Sequence, residues 1–155
     1  MANTIDEIKK RILKKSVPIK KRITDVTLGL KEIEKYKQQN KGESFLEGIY
    51  KYLRNNNMKA SDLYNKAFID RRVFSKMSSK DYKISKNTAI CFCLAMELSL
   101  NDTNDMLKRI GYALSNYDDF DIVILYCFEN KIYDIIEING YLDDLNLPLL
   151  GQKTR

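Results

Sequence analysis

The chain has 155 residues, is 44% hydrophobic and 31% charged, carries a formal net charge of +6, and contains neither His nor Trp. That length supports one core with an appendage, and without imidazole the usual general base of hydrolase triads and the usual nitrogen ligand of zinc sites are missing. Six Gly and two Pro among Lys-, Glu-, Leu- and Ile-rich stretches exclude an all-β fold and predict an all-α one.

Charge is unevenly placed: residues 1–42 sum to +7, 51–86 to +7 and 87–155 to −6. The first half suits a polyanion, whereas the last third is repelled by one, so the two ends are expected to face different partners. Cys91, Cys93 and Cys127 are odd in number, sit in apolar surroundings and follow no leader-like segment, which predicts reduced, buried thiols in a cytoplasmic protein. Two residues apart on a helix, Cys91 and Cys93 point about 200° apart and cannot pair on a metal. No stretch approaches about 18 consecutive apolar residues, so no membrane span is expected.

In chain order, Ile5, Ile8, Ile12 and Leu13 fall at helical spacing among Lys9, Lys10, Arg11, Lys14 and Lys15, predicting a short basic amphipathic helix over Thr4–Lys15. Val17-Pro18 interrupts it, and a second helix is predicted from about Lys20 to Gln39 on Ile23, Val26, Leu30, Ile33 and Tyr36, with Gly29 as a weak point. Polar Gln38 to Gly42 marks a domain boundary. The basic run, with Lys20, Lys21 and Arg22 added, has three readings: non-specific phosphate contacts, an amphipathic helix on an anionic surface, or a hairpin packing its apolar stripe on the main domain. The stripe lacks aromatic anchors, which ranks the membrane surface last.

In the main domain, Ser44 caps a helix on Phe45, Leu46, Ile49, Tyr50 and Leu53 that ends at Asn55-Asn56-Asn57. Ala60-Ser61-Asp62 with Leu63, Tyr64 and Ala67 signals a second helix. After Phe68-Ile69, the Asp70 carboxylate caps a third, Arg71 to Met77. Ser78 to Lys83 reads as loop, Ser85 caps a helix over Thr88–Leu98, and Asn101 or Thr103 opens one that Gly111 closes. Asp118-Asp119-Phe120-Asp121 then leads a very apolar helix, Ile122–Phe128, and Tyr133–Leu145 forms the last, stopped by Asn146-Leu147-Pro148.

The stretch Leu63 to Leu107 resembles the lambda-repressor-like, XRE-type helix-turn-helix family of bacterial and phage regulators. The residues carrying the resemblance are Leu63-Tyr64-Asn65-Lys66-Ala67, Phe68-Ile69-Asp70, Arg71 to Met77, Ile84-Ser85, Thr88 to Leu100, and Leu107. It implies a five-helix core in which the third helix enters the DNA major groove, where each base pair shows a distinct donor and acceptor pattern. Base-edge roles then fall to Arg71, Arg72 and Lys76, phosphate roles to Ser75 and Ser61, and Lys59, Lys66, Lys80, Lys83 and Lys86 flank them as DNA-binding residues. Two positions depart from the family. Phe68 replaces the usual turn Gly, which predicts a remodelled turn because a bulky residue at positive φ is costly. Tyr64 replaces a small Ala, which predicts helices pushed apart or repacked.

Three segments are thus expected: a basic helical extension (1–42), a helix-turn-helix core (43–115), and an acidic, apolar helical pair (116–155) that packs on the core or on a partner. In the partner reading, Ile124, Tyr133, Ile136 and Tyr141 form the interface; in the other, they complete the core. Asp118, Asp119, Asp121, Asp143 and Asp144 lie at helix ends and no phosphate-cradling glycine loop accompanies them, so neither catalysis nor a bound metal or cofactor is expected. The functional expectation is a sequence-specific, double-stranded-DNA-binding transcriptional regulator acting as a homodimer. The alternative is a non-catalytic interaction adaptor on the same fold, in phage–host conflict or stress response.

Overall fold

A computed structural model describes Glu7 and residues 19–151, which are all-helical, with eight helices and no strand. The chain divides into two compact units, Met1–Gly42 and Glu43–Arg155. Apart from Glu7, the expected Thr4–Lys15 helix, with Lys9, Lys10, Arg11, Lys14 and Lys15, lies outside the described residues, as do the side chains of Lys20, Lys21 and Arg22. In the first unit, α1 (Ile19–Asn40) runs unbroken through Gly29.

The second unit contains α2 (Phe45–Asn55), α3 (Ala60–Lys66), α4 (Arg71–Lys76), α5 (Lys86–Ala95), α6 (Leu100–Arg109), α7 (Asp119–Glu129) and α8 (Ile135–Asp144). Each start except that of α3 has a side-chain cap. Ser44 and Glu47 form a capping box, and Asp70, Ser85, Ser99, Asp118 and Asp134 accept from backbone N–H groups one turn in. α6 opens at Leu100, earlier than Asn101 or Thr103, because Ser99 Oγ accepts the Asp102 N–H while Thr103 is buried.

The helix ends share one device. Asn57, Phe68, Glu97, Gly111, Lys131 and Asn146 take positive φ, and the next residue's N–H reaches back to a carbonyl five residues earlier: Met58 to Leu53, Ile69 to Tyr64, Leu98 to Cys93, Tyr112 to Leu107, Ile132 to Cys127 and Leu147 to Leu142. This closure satisfies helix-end carbonyls, and the residue after each left-handed position is apolar and at least partly buried, which pulls the chain back onto the core. It also shortens the helix expected over Thr88–Leu98 to one ending at Ala95.

Helix α5 is the centre of the unit, with every residue from Ala89 to Ala95 buried. α7 and α8 join the same core through Ile124, Cys127, Phe128, Ile135, Ile138 and Leu142. Two contacts secure the start of α7 and the chain end. Asp121, 2% exposed, accepts from Lys86 Nζ at 2.7 Å and from the Ser115 N–H at 2.9 Å, tying α7 to the first turn of α5. Beyond α8, Leu150 is buried between two asparagines: Asn139 exchanges two hydrogen bonds with its backbone, while Asn87 donates to Leu149 O and accepts from Gly151 N–H. Gly151 (φ +62°) reaches the α3–α4 turn, where a Cβ would lie 2.9 Å from Phe68 Cβ.

All three cysteines are free thiols buried in this core. Burial pushes Cys91 and Cys93 up to about 12 and Cys127 up to about 11, from an ordinary value of about 9. Well below pH 9 neither the folded nor the unfolded chain ionises these groups, so they leave stability unchanged. As pH rises from 9 toward 11 or 12 the unfolded chain loses the protons first, so stability falls. At pH 8 a disulfide reagent such as DTNB should therefore leave the folded protein unlabelled and titrate three thiols once urea is added. Rapid labelling of the native chain would contradict this packing.

Candidate nucleic-acid interface

The α3–α4 corner is built from a few anchors. Leu63, Ala67 and Ile69 are buried, and Ala67 ends α3 so that Phe68 (φ +55°) can turn the chain. The turn expected to be remodelled around Phe68 instead takes the left-handed conformation. Two backbone bonds hold it there: Phe68 N–H donates to Asn65 O at 3.1 Å, and Ile69 N–H donates to Tyr64 O at 2.9 Å. A left-handed non-glycine residue costs about 1–2 kcal/mol, offset here by burial of Ile69. Asp70 Oδ1 then accepts the Arg72 N–H at 2.8 Å and starts α4.

Helix α4 has no fully buried residue along its length. Its orientation rests on Phe74, whose ring lies 5.4 Å from Tyr64, 6.2 Å from Tyr50 and 6.0 Å from Phe92. The Tyr64 phenol, expected to force α3 and α4 apart, is the tilted partner of that ring, so the bulk is taken up by aromatic packing. With Phe74 and Val73 half-buried and Met77 buried, the opposite face of α4 shows Arg71, Arg72, Ser75 and Lys76 to solvent. These four line an open concavity of about 710 Å³ together with Tyr64, Asn65 and Asp70.

Within this face Arg72 Nε lies 3.8 Å from Asp70 Oδ1, an exposed pair that opens readily. Ser75 Oγ donates to Arg71 O, leaving its lone pairs for an incoming donor. Lys59 flanks α3 at its N-terminal end, Lys66 occupies its last turn, and Lys80 and Lys83 are exposed between α4 and α5. Lys66 reaches Glu97 at 3.6 Å on the surface. Ser61 is half-buried in the first turn of α3.

Other residues picked from the sequence fall elsewhere. Lys86 is bound to buried Asp121, so its ammonium is committed to the core and drops out of the phosphate-facing set. Ile124 has no exposure and cannot be a partner contact; Tyr133 is half-buried edge-on against Phe128. Ile136 and Tyr141 do remain exposed, and Tyr141 donates to Glu137. An all-round apolar helix hides which side meets solvent, so the assignment of Ile124 was beyond sequence reasoning. The concavity also gains Tyr64 and Asn65, which only the α3–α4 angle brings alongside Arg72.

The remaining polar cluster, Glu43, Asp105 and Arg109, is internally satisfied: Arg109 donates to Glu43 at 3.2 Å and to Asp105 at 2.7 Å. These partners hold the guanidinium above its ordinary value, against the opposing effect of burial. Among the described residues no group of three or more Cys, Asp or Glu side chains is arranged to hold a metal ion, and no helix is long and apolar enough to cross a membrane. Comparison with protein-family models, with curated proteins and with solved structures gives no match, so the site is read from its own residues.

Proposed function

We propose that this chain is a sequence-selective regulator that binds double-stranded DNA with α4 in the major groove. The observation that carries the reading is the two-sided build of α4: Phe74 pins it from inside, while Arg71, Arg72, Ser75 and Lys76 share the face left open. Arg bridges guanine O6 and N7, Lys76 suits a base-edge acceptor, and Ser75 suits a backbone phosphate once its hydroxyl turns away from Arg71 O. Lys59, Lys66, Lys80 and Lys83 add sequence-independent attraction, whereas the acidic last third favours an orientation that turns it away from the duplex. The resemblance to the XRE-type family supports the same assignment.

The test is fluorescence anisotropy with random duplex pools at several salt concentrations, followed by sequencing of the bound fraction. Enrichment of a defined site that survives near-physiological salt is the expected result. Binding that is erased by salt with no enriched sequence overturns the reading and favours the adaptor alternative, for which exposed Ile136 and Tyr141 on α8 are the first residues to probe.

A further inference from the structure

Helix α4 has few holds of its own. None of its residues from Arg71 to Lys76 is fully buried, so its direction depends on the Phe74 ring and on the α3–α4 turn that leads into it. Residue 151 packs on the backbone of that turn. A Cβ on Gly151 would lie 2.9 Å from Phe68 Cβ, 3.2 Å from Phe68 O and 3.3 Å from Ala67 O, and the residue has a φ of +62°, so the close approach and the conformation both call for glycine. The segment that brings Gly151 there is tied down by side chains. Leu149 O, Leu150 N–H, Leu150 O and Gly151 N–H are four successive backbone groups, each bonded to Asn87 or Asn139 at 2.7–3.1 Å, with Leu150 buried between them. Asn87 belongs to the first turn of α5 and Asn139 to α8, so the segment runs from these two helices to the turn before α4.

We infer that Asn87 and Asn139 are positioning residues for α4: they hold residues 149–151 as a strap against the left-handed Phe68 turn, and through that turn the strap sets the direction in which Arg71 and Arg72 meet a duplex. The last step rests on the DNA reading above; the coupling of strap to turn does not. Reading a base edge through a bidentate arginine requires α4 to be held in one orientation, whereas attraction to phosphates requires only the charges. Loosening the strap therefore costs sequence preference and spares non-specific affinity, a split that a general loss of stability does not produce.

Native-state hydrogen exchange of the full chain measures the coupling. Asn139→Ala leaves both backbone groups of Leu150 without their partner. Exchange of the Ile69 N–H, which closes the turn on Tyr64 O, is then expected to quicken roughly tenfold, while the Met58 and Tyr112 N–H groups, which close α2 and α6 in the same way, keep their rates. Asn87→Ala and Gly151→Ala disturb the strap at its other anchor and at its contact with Phe68 and should give the same pattern, which keeps the test open if one variant fails to fold. The same variants should lower preference for the selected duplex about tenfold and leave the salt slope of binding unchanged. Equal quickening at Ile69, Met58 and Tyr112, or an Ile69 rate that no variant moves, overturns the proposal. Full site preference in a variant whose turn has loosened overturns the positioning role. A loosened turn in a chain that selects no duplex upholds the strap and overturns the DNA reading alone, so the two failures are distinguishable.

Discussion

Replacing Arg71 and Arg72 together by Ala is expected to abolish discrimination between DNA sequences while leaving the fold intact. Each bidentate arginine–guanine pair is worth about 1–3 kcal/mol of discrimination, so the double substitution should lower preference for the selected site by roughly 10²-fold or more. Both side chains are exposed and α4 is held by Phe74, so thermal unfolding should shift by no more than about 0.5 kcal/mol. The Asp70–Arg72 ion pair, which the substitution also removes, is exposed and adds little to stability. Lys80→Ala and Lys83→Ala serve as the contrast: each should weaken all duplexes about equally and reduce the salt slope by about one. Selectivity that survives in the double arginine variant would show that α4 is not the reading element. Uniform weakening without loss of selectivity would reduce both arginines to phosphate contacts.

Helix starts were the most legible part of this fold, because a capping side chain is a local device that needs no tertiary information. Ser44, Asp70, Ser85 and Asp118 mark their helices from sequence alone, and each accepts the N–H that its position implies. Helix ends were harder to read. Five of the six left-handed closing residues are Asn57, Phe68, Glu97, Lys131 and Asn146, and only Gly111 is the glycine that sequence reasoning looks for. The apolar residue that follows each of them supplies the closing force, and its partner is the core, which spacing alone does not reveal. Long-range polar contacts were equally hidden. Asn87 and Asn139 carry no signal in the sequence, yet they clamp the chain end 62 and 11 residues away. On the candidate site, Arg71, Arg72, Ser75 and Lys76 were named through the family resemblance, and the face they share shows only once Phe74 is packed inward; the ion pair of Lys86 was hidden because its partner lies 35 residues on.

That partner makes Asp121 the polar side chain whose removal should cost most. One of its oxygens, Oδ2, receives both Lys86 Nζ and the Ser115 N–H, while Oδ1 is buried without a hydrogen-bond partner, so the charge is stabilised through two donors only. Asp121→Asn keeps the shape but removes the charge, leaving a Lys86 side chain that is only 29% exposed without its counter-ion. The expected cost is about 3 kcal/mol, a fall in Tm of roughly 10 °C for a unit of this size. Lys86→Met alone should also destabilise, by leaving the buried carboxylate unpaired. The combination Lys86→Met with Asp121→Leu should recover much of the loss, since removing both charges leaves no ion to desolvate. A cycle with no coupling would mean that the pair contributes nothing beyond its burial. The same variants separate packing from DNA contact: with the ammonium held by Asp121, Lys86→Met should leave the salt slope of DNA binding unchanged, whereas a fall of about one would return Lys86 to the phosphate-facing set.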